Sequence, residues 1–600
     1  LYYTDWVAGW DMTGKGRIYR LVDPSAAAKP IVAETKRLIS GGVADASRSR
    51  CITLLSHPDK RVRQQAQFKL ASMGRQAIRA LAKCALDNPD QIARIHSIWG
   101  LSQILADSSA QLSPRELDAA SAPFLTLLED EDPEIRAQAA KALGDRRDPT
   151  ALQALIALLK DTSARVRFFA ALGVGKLRDP AGLEPVFQML RENADEDTYL
   201  RHAGVMALTW TRHMPSLLNA RRDPSPAVRM AVLIAMRRLQ SPEIASFLQD
   251  TDPAIILEAA RAINDGPVHG AANELAAMLN HYSSSTTAAN LGTELGRRVL
   301  NANLRVGTVR SAERLARFAS TTEAPEALRA EALAILASWE HPSGRDRLTG
   351  EWRPVVGDRP ARVAARAVEP NLAALLRNSP TAVQLAAIAA AVALPIDAMD
   401  SSLLAVSGDQ ALSPRVRSAA LEALASRNSA ALDSALELAG SDPSEQVRKT
   451  AIRVGATRAK SNPAIQLKRT LESGSIGEQQ AALASLNRLE KSAAKELLLP
   501  LLDRLIEGTL PAEIRLDLLE AAEQNEGEPV KQKLQAYSQA LPSTALTSFQ
   551  VCLSGGDPEK GRKIFFERAE VACMRCHKIA GEGGDVGPDL STVSARQSRQ

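Results

Sequence analysis

Residues 131–144 read EDPEIRAQAAKALG, and residues 161–173 restate the phrase as DTSARVRFFAALG. Each copy opens on an acidic turn, passes a β-branched residue and an arginine, and ends in small apolar residues. Asp and Ser suit a helix N-cap, and Pro fits the first turn. The Val or Ile then faces a core, and the alanines that follow let a neighbouring helix come close. The phrase returns as HPDKRVRQQA (57–66), DPSPAVRMAV (223–232), APEALRAEAL (324–333), LSPRVRSAALEAL (412–424), DPSEQVRKTA (442–451) and LPAEIRLDLL (510–519). Arginines 136, 167, 201 and 229 are 31, 34 and 28 residues apart, and Arg417 and Arg448 are 31 apart. This is the period of a helical-pair solenoid, near the lower edge of the HEAT/armadillo range. One arginine at a helix start reads as a solvated charge. Recurring copies read as an interior ladder, bonding to turn carbonyls or to the Asp of the preceding repeat.

Composition agrees with this architecture. Over 600 residues, 45% are apolar and 24% charged, which excludes a mostly disordered chain; aromatics are only 4%, so Ala and Leu carry the apolar content. A net charge of +5 is nearly neutral for this length, and no continuous Lys/Arg stripe with interleaved aromatics occurs. The basic runs at 36–49 and 297–317 are interrupted by acids, so no nucleic-acid partner is expected. No run of about 18 apolar residues occurs, so no transmembrane helix is expected. Five cysteines are too few for a disulfide scaffold. Cys51 and Cys84 lie in apolar helical patterns and read as buried small residues; Cys552 reads as a buried thiol near a linker. The chain begins with Leu1, carries no signal peptide and stops in a polar stretch. We read it as a piece of a longer protein.

Three regions follow. Residues 1–25 hold Tyr2, Tyr3, Trp6, Trp10 and Tyr19, with a turn at Gly14 and Gly16 and a short alternating strand from Arg17 to Val22. Residues 30–545 are the helical repeats, broken by an irregular segment at 296–360. There Trp339, His341, Pro342, Asp346, Gly350 and Trp352 form a polar-aromatic loop, read either as a contact surface or as an anchor between half-arrays. A solenoid's concave face is the usual protein-binding surface, so a protein partner is expected there. The third region is 553–600.

That last region contains CMRCH (573–577), a Cys-x-x-Cys-His run of the kind that attaches a c-type haem. Two thiols three residues apart reach two haem vinyl groups, and His577 is then placed as the axial iron ligand. A CxxC pair alone also occurs in thioredoxin-like redox sites, but no βαβ pattern surrounds this one. It also occurs as half a zinc site, but no second Cys/His pair follows. Upstream, GDPEKGRKIFFE (556–567) is a short helix entered through Asp557 and Pro558. Downstream, the glycines and Pro588 of HKIAGEGGDVGPDLSTV (577–593) describe a loop, not a helix. Among the other seven histidines none has a partner at ligand spacing; His57 and His202 read as structural.

The segment resembles the N-terminal half of a class I cytochrome c domain. The resemblance implies that Gly561 and Phe565 lie on the domain's first helix, that Gly587 to Leu590 runs beside the haem, and that the carbonyl of Pro588 accepts the proton of His577. It also implies a distal ligand and a docking helix beyond Gln600. The whole layout resembles the planctomycete and verrucomicrobial haem-binding CxxCH proteins, which join a β-propeller, HEAT repeats and a cytochrome c domain. The quoted carriers are DWVAGWDMTGKGRIYRLVDP (5–24), ASWEHPSGRDRLTGEWRP (337–354) and CMRCHKIAGEGGDVGPDLS (573–591).

The expected fold is therefore all-α: a HEAT/armadillo-like solenoid followed by a partial cytochrome c domain, with residues 1–25 as a propeller remnant. The expected function is electron transfer through covalent haem c held by Cys573, Cys576 and His577, between a donor domain and a redox acceptor. His577 is the metal ligand, and Pro588 is the position implied to support it. Covalent haem implies a periplasmic or exported parent protein with a signal peptide upstream. Two alternatives stand beside this: a protein-interaction scaffold, or a fragment of a quinoprotein sugar or alcohol dehydrogenase. No substrate-oxidising residue is identified in this chain, so the oxidoreductase activity would belong to the parent.

Overall fold

The structure, a computed structural model, describes residues 2–6, 16–107, 111–283, 291–457, 463–525, 527–542, 547–568 and 570–596. The chain forms two compact units, Leu1–Leu275 and Ala276–Gln600. Each is built of helices in two layers. In the first unit, Gln91–Ala106, Pro133–Arg146, Ala164–Leu177, Thr198–Thr211 and Pro226–Arg238 pack successively on one another. Helices such as Arg75–Asp87, Pro114–Thr126 and Leu183–Asn193 form the other layer. In the second unit, Glu326–Ala337, Thr381–Ala393, Pro414–Ser426, Glu445–Gly455 and Ile476–Ser485 make one layer. Val309–Ser320, Ala361–Arg377 and Asp400–Gly408 make the other. This is the expected HEAT/armadillo-like helical solenoid.

The small residues of the repeated phrase set the spacing. Ala139, Ala140, Ala170, Ala171, Ala203 and Ala207 are buried between successive helices. A Cβ on Gly144 would stand 2.6 Å from the Cα of Gly173, so backbone meets backbone there. Between these contacts Ile135, Val166, Leu200 and Val228 fill the core. Each such side chain contributes about 1.5–3 kcal/mol on burial.

The recurring arginines form a ladder, with its direction opposite to the one expected. Arg136 donates through Nη1 to the carbonyls of Asp130 and Glu131 in its own turn, at 2.7 and 3.0 Å. Its Nε and Nη2 then grip the carboxylate of Asp161, in the following repeat, at 2.8 and 2.9 Å. Arg229 does the same with Asp223, Pro224 and the later Asp250. Arg417 pairs with Asp442 at 2.9 and 2.8 Å. The direction follows from reach: the side chain leaves the start of one helix towards the next turn in the stack. The aspartates have a second task. Asp161, Asp223 and Asp442 accept the amides of Ser163, Ser225 and Ser444 at 2.8, 2.9 and 2.7 Å. Those serines occupy the N-cap position without a side-chain cap bond, contrary to expectation. Asp132 and Ser413 do cap their helices. Burial pushes the Asp161 carboxyl up, but the Arg136 bonds, the Ser163 amide and the two arginine charges outweigh it, and it lies below its ordinary value.

The segment expected to be irregular from 296 is mostly regular. Helices Thr293–Val306, Val309–Ser320 and Glu326–Ala337 occupy it, and the non-helical stretch runs from 338 to 360. Buried Asn301 and Asn303 hide the helical pattern in the sequence. Asn303 donates to the carbonyls of Val299 and Ala276, each at 2.9 Å. Asn301 donates to Asp346 at 3.2 Å. The 338–360 loop is an anchor. Trp339 is fully buried, with the Arg359 guanidinium over its ring at 5.4 Å. Arg359 also caps the carbonyls of Leu304 and Arg305. Asp346 accepts from the amides of Leu348 and Thr349 and from Arg305. Trp352, by contrast, stands exposed.

At the N-terminus, Tyr2–Trp6 and Gly16–Arg20 pair as antiparallel strands, with Tyr3 stacked on Tyr19 at 4.9 Å. Trp10 and Gly14 lie outside the described residues. Cys51 and Cys84 are buried as expected, but Cys552 is exposed. It sits in the short turn Thr547–Leu553.

Candidate functional site

The helix Pro558–Glu567 leads into the site. Asp557 caps it by accepting the amides of Glu559 and Lys560 at 2.9 and 3.1 Å, and Pro558 supplies its first turn. Phe565 and Phe566 meet edge to face at 4.9 Å, and Arg562 lies over Phe566. None of the helix's side chains is buried.

The CMRCH segment is a single tight turn, Cys573–Arg575, entered through Ala572 in the left-handed region at φ 49°. The amides of Cys576 and His577 both donate to the Cys573 carbonyl, at 3.2 and 2.9 Å. This places Cys573, Cys576 and His577 on one turn. Both thiols are free, Cys576 exposed and Cys573 partly so.

The glycine-rich loop folds back over that turn. The amides of Gly584 and Gly587 donate to the carbonyls of Met574 and Cys576, and Leu590 donates to Lys578 at 2.8 Å. Two glycines are required by proximity. A Cβ at Gly587 would stand 2.7 Å from His577 Cε1, and Gly583, at φ 121°, packs against the His577 carbonyl. The result is a short bond between His577 Nδ1 and the Pro588 carbonyl, 2.9 Å. A carbonyl only accepts, so Nδ1 carries the proton, and Nε2 is left as the nitrogen with a lone pair for a metal. Lys578 pairs with Asp585 across the same loop.

This arrangement fits a c-type haem. It supplies two accessible thiols, one imidazole in the ligating tautomer, and apolar side chains with no protein cover. Ile564, Val571, Met574 and Val586 are all exposed around the turn. Among the described residues no group of three or more His, Cys, Asp and Glu side chains converges as a metal site would require.

His96 is a polar site not recognised from the sequence. It is buried in the first unit and takes the place of an aspartate in the ladder. Its Nδ1 donates to Gln67 Oε1 at 2.6 Å, and its Nε2 accepts from Arg63 at 3.2 Å. Burial, then the nearby Arg63 charge, push its pKa down to about 4. The signal was present in principle: His96 lies 33 residues after the phrase arginine Arg63, one repeat along.

Residues 121–209 match a family model described as HEAT repeats. No curated protein matches the chain. Among solved structures, the chain is similar to Kap121p bound to RanGTP, at 16% identity over 85% of this chain and 55% of that one, with a TM-score of 0.37. It is similar to importin beta in an ammonium sulfate condition at 11% identity, over 88% and 85%, with a TM-score of 0.31. It is similar to yeast importin-beta, Kap95p, at 14% identity, over 84% and 76%, with a TM-score of 0.33. The chain thus spans little more than half of the Kap121p chain in its complex with RanGTP. No helix among the described residues is long and apolar enough to cross a membrane.

Proposed function

We propose that this chain is a HEAT-type scaffold carrying one covalently bound c-type haem, and that it passes single electrons between a donor domain and a redox acceptor. The observation that carries the proposal is His577, held in the CMRCH turn with Nδ1 at 2.9 Å from the Pro588 carbonyl. Cys573 and Cys576 would each add across a vinyl group: an S–C bond forms and the thiol hydrogen goes to the neighbouring vinyl carbon. His577 Nε2 would ligate the iron, and Pro588 would keep the ring in the ligating tautomer and orientation. When bound, haem supplies reversible one-electron storage at its iron. Gly583 and Gly587 let the loop lie close enough for Pro588 to reach the imidazole. Such a site is matured outside the cytoplasm, so the proposed protein would be periplasmic or exported.

A second reading is favoured by the HEAT match over 121–209 and by the helical layers. In it the array is a protein-interaction scaffold and the CMRCH segment is accessory. One experiment separates the two. The chain is matured in a cytochrome-assembling host, denatured, and stained for haem in the gel. The proposal expects a stained band that is lost in Cys573→Ala and Cys576→Ala. A colourless band with both thiols open to alkylation would leave the scaffold reading alone.

A further inference from the structure

Arg136, Arg229 and Arg417 are each gripped by an aspartate of the next repeat. Five arginines in the second unit are different. Arg310, Arg314 and Arg317 sit at i, i+4 and i+7 on helix Val309–Ser320, on one face. Arg362 and Arg366 sit at i and i+4 on the adjacent helix Ala361–Arg377. Among the described residues none of the five guanidinium groups makes a hydrogen bond or an ion pair. Arg314 lies below its ordinary pKa because burial, then the charges of Arg310 and Arg317, oppose its own charge.

Between these two helices runs a groove of about 390 Å³. Val309, Val363 and Ala367 give it apolar walls, and Arg317 and Arg366 line it as cations. Val309 is 57% exposed. One carboxylate, Glu313, also lines the groove. Like charges held together without counter-ions are unfavourable, and a ligand carboxylate relieves them. A bidentate guanidinium–carboxylate pair is the strongest such contact. The apolar walls call for an apolar side chain between the acidic ones. Glu313 and the absence of an aromatic among the lining residues disfavour a polyphosphate backbone or stacked bases.

We propose that this groove binds an acidic peptide segment of a partner protein, with carboxylates on Arg317 and Arg366 and an apolar side chain against Val309, Val363 and Ala367. Arg310, Arg314 and Arg362 extend the positive field along the segment. The surface lies on the layer opposite the phrase arginines, and it does not depend on the haem.

The test measures fluorescence anisotropy with the full chain and a labelled peptide of alternating glutamate and leucine. The expected result is saturable binding that weakens with salt, falls at least tenfold in R310E/R314E/R317E and falls severalfold in Arg366→Gln. The two variants bracket any loss of folding, since Arg366→Gln removes one exposed charge only, and circular dichroism must match the parent. Haem staining must not change, which separates failure here from failure of the electron-transfer reading. Equal peptide affinity in the parent and the triple variant would overturn the proposal. So would tighter, charge-reversal-sensitive binding of a single-stranded oligonucleotide or of phosphatidylserine vesicles than of the peptide.

Discussion

The repeats between Pro133 and Asn264 and the segment from Thr547 to Arg596 solve the same problem in opposite ways. In the repeats, apolar side chains are buried against neighbours, and Arg136 and Arg229 each meet an aspartate of the next turn. In the C-terminal segment, backbone hydrogen bonds are dense, yet neither Pro558–Glu567 nor Cys573–Arg575 has a buried residue. Its apolar residues face outward. The difference teaches that hydrogen bonds can shape a loop around one histidine without making a core. In the proposed function the porphyrin would cover part of the segment. The repeats need no such addition.

Breaking one rung should have the largest effect on the self-sufficient side of this contrast. Arg417→Ala leaves the Asp442 carboxylate buried without its partner and should cost about 3–5 kcal/mol. Urea unfolding of the full chain would show an early transition for the second unit's repeats, while haem staining stays intact. A loss below about 1 kcal/mol would mean the rung contributes little.

Acid should come next, through His96. Its folded pKa of about 4 lies below the ordinary histidine value near 6.5. The unfolded chain therefore binds more protons between those values. Stability is full above about pH 6.5 and is lost as pH falls towards 4, by about 3 kcal/mol in all. Melting midpoints across that window should fall in the parent and flatten in His96→Gln, where the amide can still accept from Arg63.

Gly144→Ala pushes a Cβ into the Gly173 backbone and should cost about 1–3 kcal/mol, read as a lower denaturation midpoint. The smallest effect sharpens the contrast from the other side. A Cβ on Gly561 meets nothing within 4 Å. Gly561→Ala should therefore leave the unfolding of the repeats unchanged and alter local stability by no more than about 1 kcal/mol.

The repeat phrase made the helical layers legible, because Asp, Pro, Val and Arg at fixed offsets have separate physical tasks. The arginine ladder was legible as a pattern but not in its direction, which depends on side-chain reach between turns. Helix Thr293–Val306 was misread because Asn301 and Asn303 are polar yet buried, bonded to a loop and a carbonyl distant in sequence. Cys552 was misread because an apolar neighbourhood in sequence does not guarantee cover in space. The CMRCH motif was legible as a pattern, and the chemistry its spacing suggests belongs to the proposed function. Arg310, Arg314 and Arg317 were visible only as part of a basic run broken by acids, and Arg362 and Arg366 carried no such signal; their lack of partners is a property of the fold.

The most direct measurement of the central claim is the intact mass of the denatured protein after maturation, taken with its reduced-minus-oxidised spectrum. The account predicts one added haem that survives denaturation, a c-type absorbance change on reduction, and loss of the normal spectrum in His577→Ala. A mass equal to the bare chain, with no absorbance change on reduction, would contradict it.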